Sequence, residues 1–139
     1  MSRWLAGLRG ATAKFHAIEA ATAAGWSAQI TGCMEMPGTG GMGFHYGNTG
    51  LIDGVPEQFA PELLVYAPQK NGRLELVAVE YIVPYTAVPR DAEAPSLHGV
   101  PLHHNDAFGL WVLHAWVWKH NPAGMFEDWN PDVSCAFAQ

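Results

Sequence analysis

The chain has 139 residues, 49% of them hydrophobic with six tryptophans, which is enough to fill the core of a single domain over residues 1 to 139. Only 14% are charged, against roughly 25% in an average globular protein, so some apolar surface is expected to meet a partner, most simply a second copy in a homodimer. A formal charge of -6 and a pI near 5.5 exclude the clustered Lys and Arg that a phosphate backbone requires, so no nucleic acid is expected. No apolar run reaches about 18 residues, so no membrane span is predicted. The first residues lack the apolar segment of a signal peptide, which makes a cytoplasmic location the expectation.

Trp4, Leu8, Ala11, Phe15, Ile18 and Thr22 recur at helical spacing, predicting one amphipathic helix over residues 3 to 24 with Ser2 as N-cap and Gly25 as stop. His16 falls beside this stripe and reads as a helix-surface histidine. Residues 26 to 33 have β character. Residues 37 to 50 then carry six glycines without the spacing of a dinucleotide or phosphate loop, so a long turn is the favoured reading. The alternative is that this segment delivers His45, between Phe44 and Tyr46, into a cavity.

Residues 63 to 83 read as a hairpin around Asn71-Gly72, with Val65 opposite Ala78 and Leu63 opposite Glu80. Glu80 then shares a face with Leu74, Leu76, Ala78 and Ile82, where a lone carboxylate requires a cation, a proton or a donor. Residues 84 to 108, with His98, His103 and His104, form a connection long enough for a lid, a binding loop or a dimer arm. A strand over 109 to 119 follows. It sets His114 on a face with Val112, Trp116 and Trp118, where an unpaired ring is unfavourable by roughly 1 to 3 kcal/mol. After the turn at 121 to 124, Glu127, Asp128 and Asp132 read as a solvated acidic loop. Cys33 and Cys135 read first as free thiols, with a disulfide or metal ligation as alternatives.

One helix followed by strands apolar on both faces predicts an α+β fold, with the N-terminal amphipathic helix packed on a curved antiparallel sheet or small β-barrel. Three readings of its interior stand. His45, Glu80 and His114, with His103 or His104 as a fourth ligand, suit Zn, Fe, Mn or Cu, although no HExxH or His-x-His spacing marks them. Glu80 and His114 alone could form a structural pair that fixes strand register in a non-catalytic module. An aromatic-lined pocket for a small organic ligand is the third, with Glu80 as a base of raised pKa and His114 or His45 as the acid. No serine sits in a GxSxG turn, which removes a serine hydrolase.

The blocks GMGFHYGN at 41 to 48, LLVYAPQKNGRLELVAVEYIVP at 63 to 84 and WVLHAWVWKHNPAGMFEDWNPDVSC at 111 to 135 resemble a family of uncharacterised bacterial proteins, many of them exported. The resemblance runs over most of the chain from Ala11 onward. It implies a shared fold and shared site positions but no substrate, and its exported members favour the disulfide between Cys33 and Cys135.

Overall fold

The amphipathic stripe folds as two short helices instead of the single helix expected over 3 to 24. In the computed structural model, which describes residues 2 to 138, helix α1 (Ser2–Thr12) runs into a 3-10 turn (Ala13–His16). Ala17 is then extended at φ -84° and ψ 111° before α2 (Ile18–Ala23). The break has a tertiary cause. The hydroxyl of buried Tyr66 donates to the Phe15 carbonyl at 2.6 Å, and a continuous helix would need that carbonyl for the amide four residues on. The stripe still packs as its spacing requires, with Trp4, Leu8 and Phe15 buried and Ile18 beside them. The expected Ser2 cap lies outside the described side chains. No helix among the described residues is long and apolar enough to cross a membrane.

The strands are β1 (Ala28–Met36), β2 (Gly40–Gly47), β3 (Leu63–Pro68), β4 (Leu74–Pro84), β5 (Ser96–Leu97), β6 (Val100–Pro101), β7 (His103–Asn105) and β8 (Leu110–Ala115). Six of them form one strongly curled antiparallel half-barrel in the order β1-β2-β3-β4-β8-β7, and β5 and β6 pair separately. The helix on a curved antiparallel sheet is the expected α+β architecture. The connection over 84 to 108 is not a free arm, since it supplies the β5-β6 hairpin and the edge strand β7.

The glycine-rich segment is the main departure, because residues 37 to 39 turn, residues 40 to 47 are β2, and a 3-10 turn follows at Thr49–Leu51. Its glycines serve close backbone approach. Gly43 has φ 111°, and a Cβ there would overlap the Tyr66 carbonyl on β3; one at Gly40 would overlap the Asn130 backbone of the returning tail.

The β3-β4 hairpin reaches the expected pairing by an unexpected route. Its loop has three residues, with the Gln69 amide on the Arg73 carbonyl and Gly72 at φ 82°, so the ladder starts one residue out of the expected register. A bulge at Val77 restores it, and Val65 pairs with Ala78 and Leu63 with Glu80. The bulge also flips the side-chain alternation. Leu76 joins the helix-side core, while Val77 and Ala78 both turn to the other side, so Leu74 and Leu76 do not share the Glu80 face as expected.

The helix-side face buries Leu64, Tyr66, Val79, Tyr81, Val83, Trp111 and Leu113. At roughly 1.5 to 3 kcal/mol for each large aliphatic side chain fully buried, this layer is the main apolar source of stability. The opposite face holds two smaller clusters, one around Val65, Ala78 and Trp116 and one of Leu63, Ile82 and Val112. Trp118 leaves that face: β8 ends at Ala115, and the Trp118 indole donates to Thr12 Oγ1 at 2.9 Å, locking the sheet to α1.

Cys33 and Cys135 form a disulfide with Cα atoms 5.9 Å apart, which corrects the free-thiol reading. Gly41 and Asn130 exchange backbone hydrogen bonds of 2.9 and 3.0 Å, and these bring the tail back beside β1 and β2. Nothing in the spacing of the two cysteines encodes that return.

Candidate metal centre

Between the two apolar clusters lie three buried polar side chains, His45, Glu80 and His114. Glu80 and His114 are direct partners across β4 and β8, and His45 reaches over β3 from β2. The His45 Nε2 to Glu80 Oε1 distance is 3.2 Å, His114 Nε2 to Glu80 Oε1 is 3.6 Å, and the two Nε2 atoms are 3.5 Å apart. A point equidistant from the corners of such a triangle lies about 2 Å from each, which is the length of a zinc bond to imidazole nitrogen or carboxylate oxygen. As hydrogen bonds, two of these three contacts are too long.

Each ring nitrogen facing away from Glu80 has its own partner. The Thr31 hydroxyl oxygen lies 2.9 Å from His45 Nδ1 and 2.8 Å from the Gly32 carbonyl. His114 Nδ1 lies 3.0 Å from Asp128 Oδ1, and a carboxylate can only accept. Burial raises the Asp128 carboxyl, but its bonds to His103 and His114 outweigh this and hold it well below the usual carboxylate range. With each Nδ1 held in this way, both Nε2 atoms face the Glu80 carboxylate. A buried carboxylate facing two imidazole nitrogens requires a metal ion or a proton among them. Holding each ligand ring by its other nitrogen is also how metal sites orient histidines.

His45, Glu80 and His114 are thus the predicted site residues that the fold brings together, and they can hold a metal ion. His103 and His104 do not join them. Pairing with β8 sets His103 opposite Val112, on the site's face, but its Nε2 is 3.0 Å from both oxygens of Asp128, one step outside the centre. His104 pairs opposite Trp111 on the other face, packs on that indole at 4.3 Å and donates to the Arg90 carbonyl. Asp128, read from sequence as a solvated acid, and Thr31 are the residues that sequence reasoning missed. No spacing marks either, because each acts on a histidine of another segment.

A base of raised pKa at Glu80 is not what the structure holds. Burial pushes Glu80 up, but His114 and the hydrogen bond from His45 outweigh it and bring the carboxyl below its ordinary value. His114 moves the other way: burial lowers it, and Glu80 and Asp128 together raise it. Trp116 is the aromatic neighbour of the centre, its ring stacked on His114 at 6.2 Å, whereas Tyr66, Tyr81 and Trp111 pack on the helix side.

A second buried carboxylate, Glu62, has an ordinary structural place. It accepts the Ile82 amide at 2.8 Å, and burial pushes its pKa up to about 7. Between pH 4.5 and 7 the folded state then holds a proton that the unfolded chain releases, so this group lowers stability as pH rises through that window. Glu62→Gln keeps the acceptor and removes the titration. The variant is expected to match the parent at pH 4.5 and to exceed it at pH 8 by on the order of 3 kcal/mol in urea unfolding. An equal difference at both pH values would rule this out.

Fold and site together define a class: an α+β half-barrel with a buried centre of two histidines and one glutamate. Comparison with protein-family models, curated proteins and solved structures returns no match for this chain.

Proposed function

We propose that this protein binds a divalent transition metal through His45, Glu80 and His114 and uses it to act on a small organic molecule. The observation that carries this reading is the convergence of three ligand-type atoms, two imidazole nitrogens and a carboxylate oxygen, at 3.2 to 3.6 Å, with both Nδ1 atoms partnered elsewhere. Two imidazoles and one carboxylate leave coordination positions open, a donor set that suits Zn or non-haem Fe and accommodates Mn or Cu. A metal so held polarises a bound carbonyl or lowers the pKa of a bound water.

A second reading has one specific observation in its favour. The low pKa of Glu80 and the raised pKa of His114 are those of a buried ion pair, which would satisfy itself with a proton and serve only the fold. Elemental analysis of protein purified without an affinity tag separates the two. About one metal per chain is expected, falling to background in a Glu80→Gln, His114→Ala double variant. Metal unchanged in that variant, or substoichiometric in both, would leave the ion pair as the better account.

We also propose that the domain works in an oxidising compartment. The Cys33–Cys135 disulfide supports this over the cytoplasmic expectation.

A further inference from the structure

We infer that the ligand of this centre is a small, uncharged, largely aliphatic molecule with a single metal-binding head group; the inference rests on the metal reading above and extends it to the substrate. A cleft opens on His45 and Glu80, and its walls come from Ile30, Met34, Leu63, Ile82, Leu110 and Val112, with the half-exposed Phe108 beside them. No lysine or arginine lines it, and Glu80 is the one acid. Of the other polar residues of the wall, Thr31 Oγ1 is engaged by His45 and Gly32, and Asn105 Oδ1 accepts the Phe108 amide at 3.3 Å, which leaves the Asn105 side-chain NH2 as a neutral donor.

That distribution decides the ligand's chemistry. A carboxylate, phosphate or ammonium on the body of the ligand would be desolvated against aliphatic side chains with no counter-charge, and the neutral amide of Asn105 does not replace one. The buried Glu80 already balances part of any metal's charge, so the one charged contact among the described residues of the wall is at the centre. An aliphatic chain, in contrast, meets matching surface from the metal outward. The cavity volume is about 60 Å³, and at roughly 10 to 15 Å³ for a water-sized group it takes only a few non-hydrogen atoms before the chain reaches the mouth. The ligand is therefore short as well as apolar.

The test uses the whole protein loaded with Co(II), whose visible absorption reports the metal and its ligands, titrated with acetohydroxamate, butyrohydroxamate and hexanohydroxamate. Affinity is expected to rise about threefold to fourfold for each added methylene until the cavity is filled, the gain for burying one such group. Succinic monohydroxamate, which carries a terminal carboxylate at similar length, is expected to bind no tighter than acetohydroxamate. Ile30→Ser, at a half-exposed wall position, is expected to flatten the chain-length dependence while leaving the Co(II) spectrum unchanged. Affinity that is flat across the alkyl series, or equal for the carboxylate-tipped ligand, would overturn the inference. Failure of the metal reading has its own signature, no Co(II) absorption at all. The metal-free protein then decides the cleft: 1-hexanol shifts the methyl resonances of Ile30, Met34 and Ile82 if the inference holds, and leaves them unmoved if it does not.

Discussion

Glu80→Gln is expected to weaken Zn(II) or Co(II) binding by well over 100-fold while leaving the fold in place. The amide keeps the size of the side chain and one acceptor oxygen but removes the negative charge that balances the metal. The metal-free variant should therefore stay within about 1 to 2 kcal/mol of the parent in a thermal melt. Asp128→Asn sets the scale. Asp128 touches no metal position and orients His114 through Nδ1 at 3.0 Å, and an outer partner of this kind typically contributes 10- to 100-fold in affinity. The ordering, Glu80→Gln above Asp128→Asn with Thr31→Val comparable to Asp128→Asn, is specific to a metal centre. A structural ion pair predicts the reverse pattern, with large losses of melting temperature in all three variants and no metal affinity to lose. Competition titration against a chromogenic chelator measures one quantity, and calorimetry of the metal-free proteins the other. If Glu80→Gln unfolds outright and its folded fraction binds metal like the parent, the metal reading fails.

Reducing the Cys33–Cys135 disulfide is expected to lower stability by about 4 to 5 kcal/mol, the chain-entropy value for a bridge closing a loop of about a hundred residues. The separation of the two cysteines is 102 residues, so the bridge restrains most of the unfolded chain. For a domain of this size the loss corresponds to a fall in melting temperature on the order of 15 °C. The native state adds a local reason. β1 is an edge strand that pairs, among the described residues, with β2 alone, and its pairing carries three register irregularities. The disulfide is its second attachment, linking it to a tail that is itself held at Gly41 by Asn130. Since β1 also carries Thr31, reduction should loosen the orientation of His45 and weaken metal binding measurably. Thermal melts with and without a phosphine reductant, and of a Cys33→Ala, Cys135→Ala double variant, test both effects. A change in melting temperature under about 2 °C would show that the backbone contacts of the tail suffice.

The sequence by itself determined the α+β class, the helix-side stripe from Trp4 to Ile18, the presence of a hairpin around Asn71-Gly72, and the anomaly of Glu80 and His114 on apolar strand faces, whereas the pairing of Leu63 with Glu80 needed the bulge at Val77. These are local signals. Periodicity and turn chemistry act within a few residues, and a charged or imidazole side chain on an apolar strand face is anomalous wherever the strand goes. What only the tertiary structure decided is everything that depends on backbone meeting backbone at a distance. The glycines of β2 look like a turn until Tyr66 of β3 and Asn130 of the tail are seen against them, where any Cβ would collide. The helix breaks at Ala17 because Tyr66 draws off the Phe15 carbonyl. Asp128 looks like a solvated acid until His103 and His114 close on it. The third residue of the candidate centre has the same origin: no offset in the chain relates His45 to Glu80, and they meet because adjacent antiparallel strands stack β2, β3 and β4 side by side, turning distances along the chain of tens of residues into one contact of 3.2 Å.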